Sequence, residues 1–122
     1  MRLDAIMSKP VLSIPPKADL EAAHVQMTEH HVHHLVVMDH ETVVGILSAH
    51  DLERRRATLY DDKWLVEDIM SHPPIVASPQ TTAAQAAKMM RGSAQGCLPI
   101  VDGRVLVGIV TTSDLLDLLA KT

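Results

Sequence analysis

Gly45-Ile46-Leu47-Ser48-Ala49-His50-Asp51 recurs 63 positions later as Gly108-Ile109-Val110-Thr111-Thr112-Ser113-Asp114. Each copy reads as a buried strand that runs straight into a helix, with a hydroxyl at the boundary and a carboxylate three residues on. Outward from this stretch the same offset holds without a gap, pairing Ile6 through Leu52 with Ile69 through Leu115. Identities fall at Met7/Met70, Pro16/Pro79, Ala23/Ala86, Met27/Met90, Leu35/Leu98, Asp39/Asp102 and Leu52/Leu115, among others. Conservative pairs such as Leu12/Ile75, Val37/Ile100 and Leu47/Val110 fill the gaps. Matches spread along a whole unit in one register mark a tandem duplication, not shared composition.

Each repeat predicts β-α-β-β-α. A short apolar strand, Val11 to Ile14 or Ile75 to Ala77, is closed by Pro16 or Pro79. A helix follows with Leu20, Ala23 and Met27, or Ala83, Ala86 and Met90, on one face. Thr82 and Gln85 have the spacing of a capping box. Two strands then pair, Leu35 to Met38 with Val43 to Leu47, and Leu98 to Val101 with Val105 to Val110. Asp39-His40-Glu41 and Asp102-Gly103-Arg104 are their hairpin turns. The closing helices begin near Ser48 and Thr111. This divides the chain into repeat 1 over residues 1–58, a linker over 59–67 and repeat 2 over 68–122. The run Arg54-Arg55-Arg56 is diluted by Glu53, Asp61 and Asp62, which reads as a solvated helix end and not a nucleic-acid surface.

Composition narrows the function classes. Of 122 residues, 47% are hydrophobic, with no Phe, one Trp (Trp64), one Tyr (Tyr60) and seven Met, so the core is built from aliphatics and thioethers. A net charge of −4 argues against general nucleic-acid binding. The lone Cys97 cannot form an internal disulfide, and no signal peptide or membrane-length apolar run is visible. The expectation is a soluble cytoplasmic protein without a membrane or nucleic-acid partner.

The repeated Ser/Thr-x-x-Asp step has two compatible readings. It is a helix cap, which contributes roughly 1 kcal/mol. It is also a ligand seat, because free amides at a helix start favour phosphate and a carboxylate one turn in can accept both ribose hydroxyls.

The chain resembles the tandem CBS domain pair (Bateman module), a family that takes its name from cystathionine β-synthase. The resemblance rests on Ile6-Met7 and Asp68-Ile69-Met70, on Leu98-Pro99-Ile100-Val101-Asp102, and on the two Gly-x-x-Ser/Thr-x-x-Asp segments. It implies an α/β (α+β) fold of two β-α-β-β-α repeats packed by their sheets with pseudo-twofold symmetry and ligand clefts between them. It further implies an adenosyl ligand such as AMP, ADP, ATP, S-adenosylmethionine or NAD, with no cofactor required. Carried over, Asp51 and Asp114 hold the ribose, and Ser48 and Thr111 approach the phosphate. The base lies against Val11, Leu12 and Ile14, or Pro74, Ile75 and Ala77, where backbone groups can read its edge.

His30, His31, His33 and His34 admit three readings: solvated imidazoles at a helix end, a metal site, or contact of His33 and His34 with ligand phosphate. Phosphate contact is implied by the resemblance, and it would make binding tighten as pH falls through the histidine range. The metal reading is disfavoured by spacing, since consecutive side chains at a helix end diverge. Repeat 2 has Gln95-Gly96-Cys97 in the equivalent place and no positive charge, whereas repeat 1 has Val36 where the family usually has proline. Two unequal clefts are therefore expected. No nucleophile-base pair, metal triad or glycine-rich phosphate loop is present, so no catalytic residue is assigned. The function expected is a regulatory adenosyl sensor acting through conformational or oligomeric change, as a homodimer or through an unidentified effector protein. The alternative is a constitutive assembly module with no bound nucleotide.

Overall fold

Duplicated sequence gives duplicated hydrogen-bond ladders. The computed structural model describes residues 1–58, 64–93 and 95–121. In repeat 1 these are β1 (Ser13–Ile14), α1 (Leu20–His30), β2 (His34–Asp39), β3 (Thr42–Ser48) and α2 (Ala49–Thr58). A short α3 (Val66–Ile69) precedes repeat 2, which contains α4 (Ala83–Arg91), β4 (Cys97–Asp102), β5 (Val105–Thr111) and α5 (Thr112–Ala120). Arg54 and Arg55 lie exposed on α2, while residues 59–63 of the polar connection fall outside the described residues.

The chain folds as two compact units, a middle unit of Leu12–Pro74 and a terminal unit of Met1–Val11 with Ile75–Thr122. The middle unit holds a three-stranded sheet in the order β1-β2-β3, with β1 parallel to β2 and β2 antiparallel to β3. The terminal unit holds the antiparallel pair β4-β5. Both hairpins close over two residues, His40-Glu41 and Gly103-Arg104, with the first residue at positive φ (56° and 65°). Both ladders also shift register at the same repeat position, between Val37 and Met38 and between Ile100 and Val101.

Helix boundaries follow the local chemistry. Asp19 caps α1 by accepting the Ala22 N–H at 2.7 Å. His31 ends that helix in the left-handed region at φ 54°, its N–H turned back to the Met27 and Thr28 carbonyls. Thr82 and Gln85 form the expected reciprocal box on α4, at 3.1 and 2.9 Å.

One expected element is missing. Residues 75–77 make no second copy of β1, only the bridge from Ala77 to Ile100. In the middle unit the Val36 N–H donates to the Leu12 carbonyl at 3.2 Å. The repeat-related residue is Pro99, which has no N–H to give, so the ladder cannot extend to Ile75. The strand expected from Val11 is likewise shorter and starts at Ser13.

Each unit takes a segment from the opening of the other repeat. The buried core of the middle unit (Ile14, Leu20, Ala23, Met27, Leu35, Val37, Leu47, Leu52) is completed by Val66. That of the terminal unit (Ala77, Ala86, Leu98, Ile100, Val110, Leu115) is completed by Leu3. Backbone bonds fix the exchange, with Ser71 bridged to Ile46 and Ser8 bridged to Ile109. A Cβ on Gly45 would collide with the Met70 thioether, and one on Gly108 with that of Met7. The glycine of the repeated motif therefore exists to admit the methionine of the opening segment. Gly108→Ala is expected to destabilise the chain by about 1–3 kcal/mol, the usual penalty for overpacking. In Met7→Ala/Gly108→Ala the loss should be less than the sum of the single effects, as measured by denaturant unfolding.

Candidate functional site

The strand-to-helix steps of the two repeats share a backbone and differ in what their carboxylates do. At each, the first helical N–H returns to the carbonyl just before the first strand of the hairpin: Ala49 to His33, ahead of β2, at 2.8 Å and Thr112 to Gly96, ahead of β4, at 3.1 Å. At the second step Thr111 and Asp114 form a closed capping box. The Asp114 N–H donates to Thr111 Oγ1 at 3.3 Å, and Asp114 Oδ2 accepts from the Thr111 N–H at 2.8 Å and its hydroxyl at 3.1 Å.

The first step is half of that arrangement. The Asp51 N–H donates to Ser48 Oγ at 3.1 Å, and the Asp51 carboxylate lies outside the cap. Its nearest cation is Arg54, at 3.8 Å and well exposed, a weak pairing in water. A polar cavity of about 380 Å³ opens there, lined by Asp51, Arg54, Arg55 and Ile69. Arg55 is held over the Trp64 ring, 5.2 Å from its centre. The cavity sets an uncapped carboxylate, two guanidinium groups and the apolar Ile69 around one space, which suits a polyhydroxylated, anionic ligand with an apolar part. Arg54 and Arg55 are not legible as cavity-lining residues from sequence, because an arginine run beside acidic residues reads as a solvated helix end.

The remaining sequence candidates are dispersed. Ile14 is buried in the middle unit, with Leu12 half-buried beside it, and Val11 falls in the terminal unit. Ala77 is buried and Ile75 half-buried in the terminal unit, with Pro74 assigned to the middle one. His33 does not face the Asp51 cavity. It lines a separate groove of about 340 Å³ between α1 and α2, with His24, His31, Leu52 and Glu53. The repeat-related groove between α4 and α5, about 420 Å³, is mainly apolar: Met90, Leu115, Leu116 and Leu119 line it, together with Arg91, Gln95 and Thr112. Among the described residues no three His, Cys, Asp or Glu side chains cluster to hold a metal ion.

Three groups are tuned by burial or by new partners. Cys97 starts β4 fully buried, and burial pushes its thiol up to about 12, which keeps it unreactive. Gln95 is a buried carboxamide: its Oε1 accepts the Ile75 N–H at 3.1 Å, and its Nε2 donates to the Ile75 and Cys97 carbonyls at 2.7 and 2.8 Å. Desolvation, followed by the charge of His33, lowers the pKa of His34 below 6.5.

Similarity to known proteins extends over nearly the whole chain. The CBS domain profile matches residues 3–57 and again 66–121. A CBS domain-containing protein of Dictyostelium discoideum is 34% identical over 95% of this chain and 89% of its own length. An inosine-5′-monophosphate dehydrogenase of Korarchaeum cryptofilum is 30% identical over 93% of this chain, which spans only 23% of that enzyme. The CBS domain pair of protein MJ0100, solved in complex with 5′-methylthioadenosine and S-adenosyl-L-methionine, superposes with a TM-score of 0.90 at 28% identity, over 99% of this chain and 97% of that one.

The lowered His34 pKa has a definite sign. The folded state binds this proton less readily than the unfolded state, so the stability it contributes is complete above pH 6.5. That contribution is lost as pH falls from 6.5 through the depressed folded value. Urea midpoints measured across pH 4.5–8 should therefore fall more steeply on the acid side for the parent than for His34→Gln, and parallel curves would exclude the effect.

Proposed function

The chain belongs to the CBS domain family, and we propose that it is a regulatory module that binds an adenosyl ligand without transforming it. The observation carrying this reading is the open carboxylate of Asp51 in a cavity shared with Arg54, Arg55 and Ile69. A ribose diol matches the carboxylate, a phosphate or other anionic tail matches the guanidinium pair, and an apolar wall accepts part of a nucleoside. The solved relative with 5′-methylthioadenosine and S-adenosyl-L-methionine supports the adenosyl class. In the middle unit Ser48 would approach a phosphate, Asp51 a ribose, and Leu12 and Ile14 the base; Thr111, Asp114, Ile75 and Ala77 are the repeat-related positions of the terminal unit.

Signalling requires that ligand prefer one arrangement of the chain over another. Self-association is one way to read that preference out. Leu116 and Leu119 are 60% and 67% exposed beside the apolar α4–α5 groove, which favours a homodimer through that face. The same groove supports the second reading, a constitutive assembly module. Leu116→Glu with Leu119→Lys should convert a dimer to monomer in light scattering, with unchanged circular dichroism.

A thermal-shift panel of AMP, ATP and S-adenosylmethionine, with GMP as control, tests the ligand class. At a hundredfold excess over Kd, a bound ligand stabilises by about 2.7 kcal/mol, which raises the midpoint by several degrees. Asp51→Ala should abolish the shift. Equal response to GMP, or an undiminished shift in Asp51→Ala, would reject the assignment; no shift with any nucleotide favours the assembly module.

A further inference from the structure

The backbone of Ile75 is already read by the protein itself. The Gln95 carboxamide takes both the N–H and the carbonyl of that one residue, with Oε1 as acceptor and Nε2 as donor. A primary amide offers an adjacent donor and acceptor, the same pair that the amine and ring nitrogen of adenine present along one edge. Gln95 is 7% exposed, and its third bond, to the Cys97 carbonyl, locks the amide in this orientation.

The reason lies in Pro99. Without an N–H at that position the Ile75 carbonyl has no ladder donor, and Gln95 Nε2 supplies one. The repeat-related positions in the middle unit are Val32, Val36 and Leu12. There the Val36 N–H reaches the Leu12 carbonyl, Val32 packs as an apolar residue, and the Leu12 N–H has no hydrogen-bond partner among the described residues. The two steps are thus opposite in every respect that matters to a base. At the first, a backbone donor is open and the Asp51 carboxylate stands outside its cap. At the second, the backbone pair is filled by Gln95, and one oxygen of the Asp114 carboxylate, Oδ2, is taken by the Thr111 N–H and hydroxyl.

We propose that Gln95 is a built-in substitute for the adenine edge, which closes the terminal unit to ligand and limits the chain to one adenosyl equivalent, bound in the middle unit. This rests on the adenosyl reading above and makes it specific. Gln95 is a specificity-determining residue: replacing its amide by the Val that repeat 1 carries should uncover the Ile75 N–H and carbonyl for an incoming base.

Calorimetric titration of the full chain with AMP is the test. The parent should bind one equivalent, lost in Asp51→Ala and kept in Asp114→Ala. Gln95→Val should bind two, and Gln95→Val/Asp114→Ala one. A parent that binds two equivalents and loses one in Asp114→Ala overturns the inference and leaves the adenosyl reading intact. So does a folded Gln95→Val that still binds only one. If neither parent nor Gln95→Val binds AMP, both readings fall together. Amide exchange in the parent guards against a variant that does not fold. The Ile75 N–H should be slow to exchange with or without AMP, and the Leu12 N–H fast until AMP slows it at least tenfold. A fast Ile75 amide, or a Leu12 amide indifferent to AMP, overturns the inference equally.

Discussion

Two thioethers lying against two glycines hold the architecture together. Met70 and Met7 each occupy the volume that a side chain on Gly45 or Gly108 would need, and the adjoining Ser71 and Ser8 bond to the strands that carry those glycines. The contact fixes where each opening segment ends, which in turn places Val66 and Leu3 in their cores. Three residues beyond each glycine the strand gives way to the helix start with its hydroxyl and carboxylate. The distance from structural clamp to candidate chemistry is therefore a single strand's end. A methionine suits this role because its unbranched, polarisable chain conforms to a pleated backbone at close range.

Local features were legible in the sequence. The hairpins at His40 and Gly103, the Thr82–Gln85 box and the helix starts after Ser48 and Thr111 all depend on residues within a few positions of one another. The exchange of opening segments was not legible, because aligning the repeats shows that Leu3 and Val66 correspond without showing which core each enters. The strand expected at Ile75–Ala77 failed for a reason that was in view, since Pro99 removes the donor that Val36 provides. Gln95 was overlooked as the absence of a histidine's charge. A polar residue matched to Val32, beside a proline matched to Val36, was the signal that a side chain replaces a ladder bond.

The two helix starts show how near-identical sequence yields different chemistry. Thr111 and Asp114 complete a reciprocal cap, whereas Ser48 and Asp51 stop at half of one. At the second start the cap occupies one carboxylate oxygen, Asp114 Oδ2, and leaves Oδ1 for anything else. At the first start the Asp51 carboxylate lies outside the cap and pairs weakly with Arg54, 3.8 Å away. The histidines sort in the same way by placement: His33 turns to the α1–α2 groove, while His34 pairs into the sheet and is held toward its neutral form. In family terms the chain is a tandem pair of CBS domains, and its individuality lies in these departures from symmetry.

The borrowed opening segments also set an order on folding. The middle unit is one continuous stretch of chain, so its contacts close over loops of ordinary length and can form while the rest is still being made. The terminal unit must join Leu3 to Thr81 and Ser8 to Ile109, spans that close only when most of the chain exists. Until then Leu3 and Met7 have no core to enter, and the segment that carries them waits for its partner strand. An opening segment made before both units is thus among the last parts to find its place.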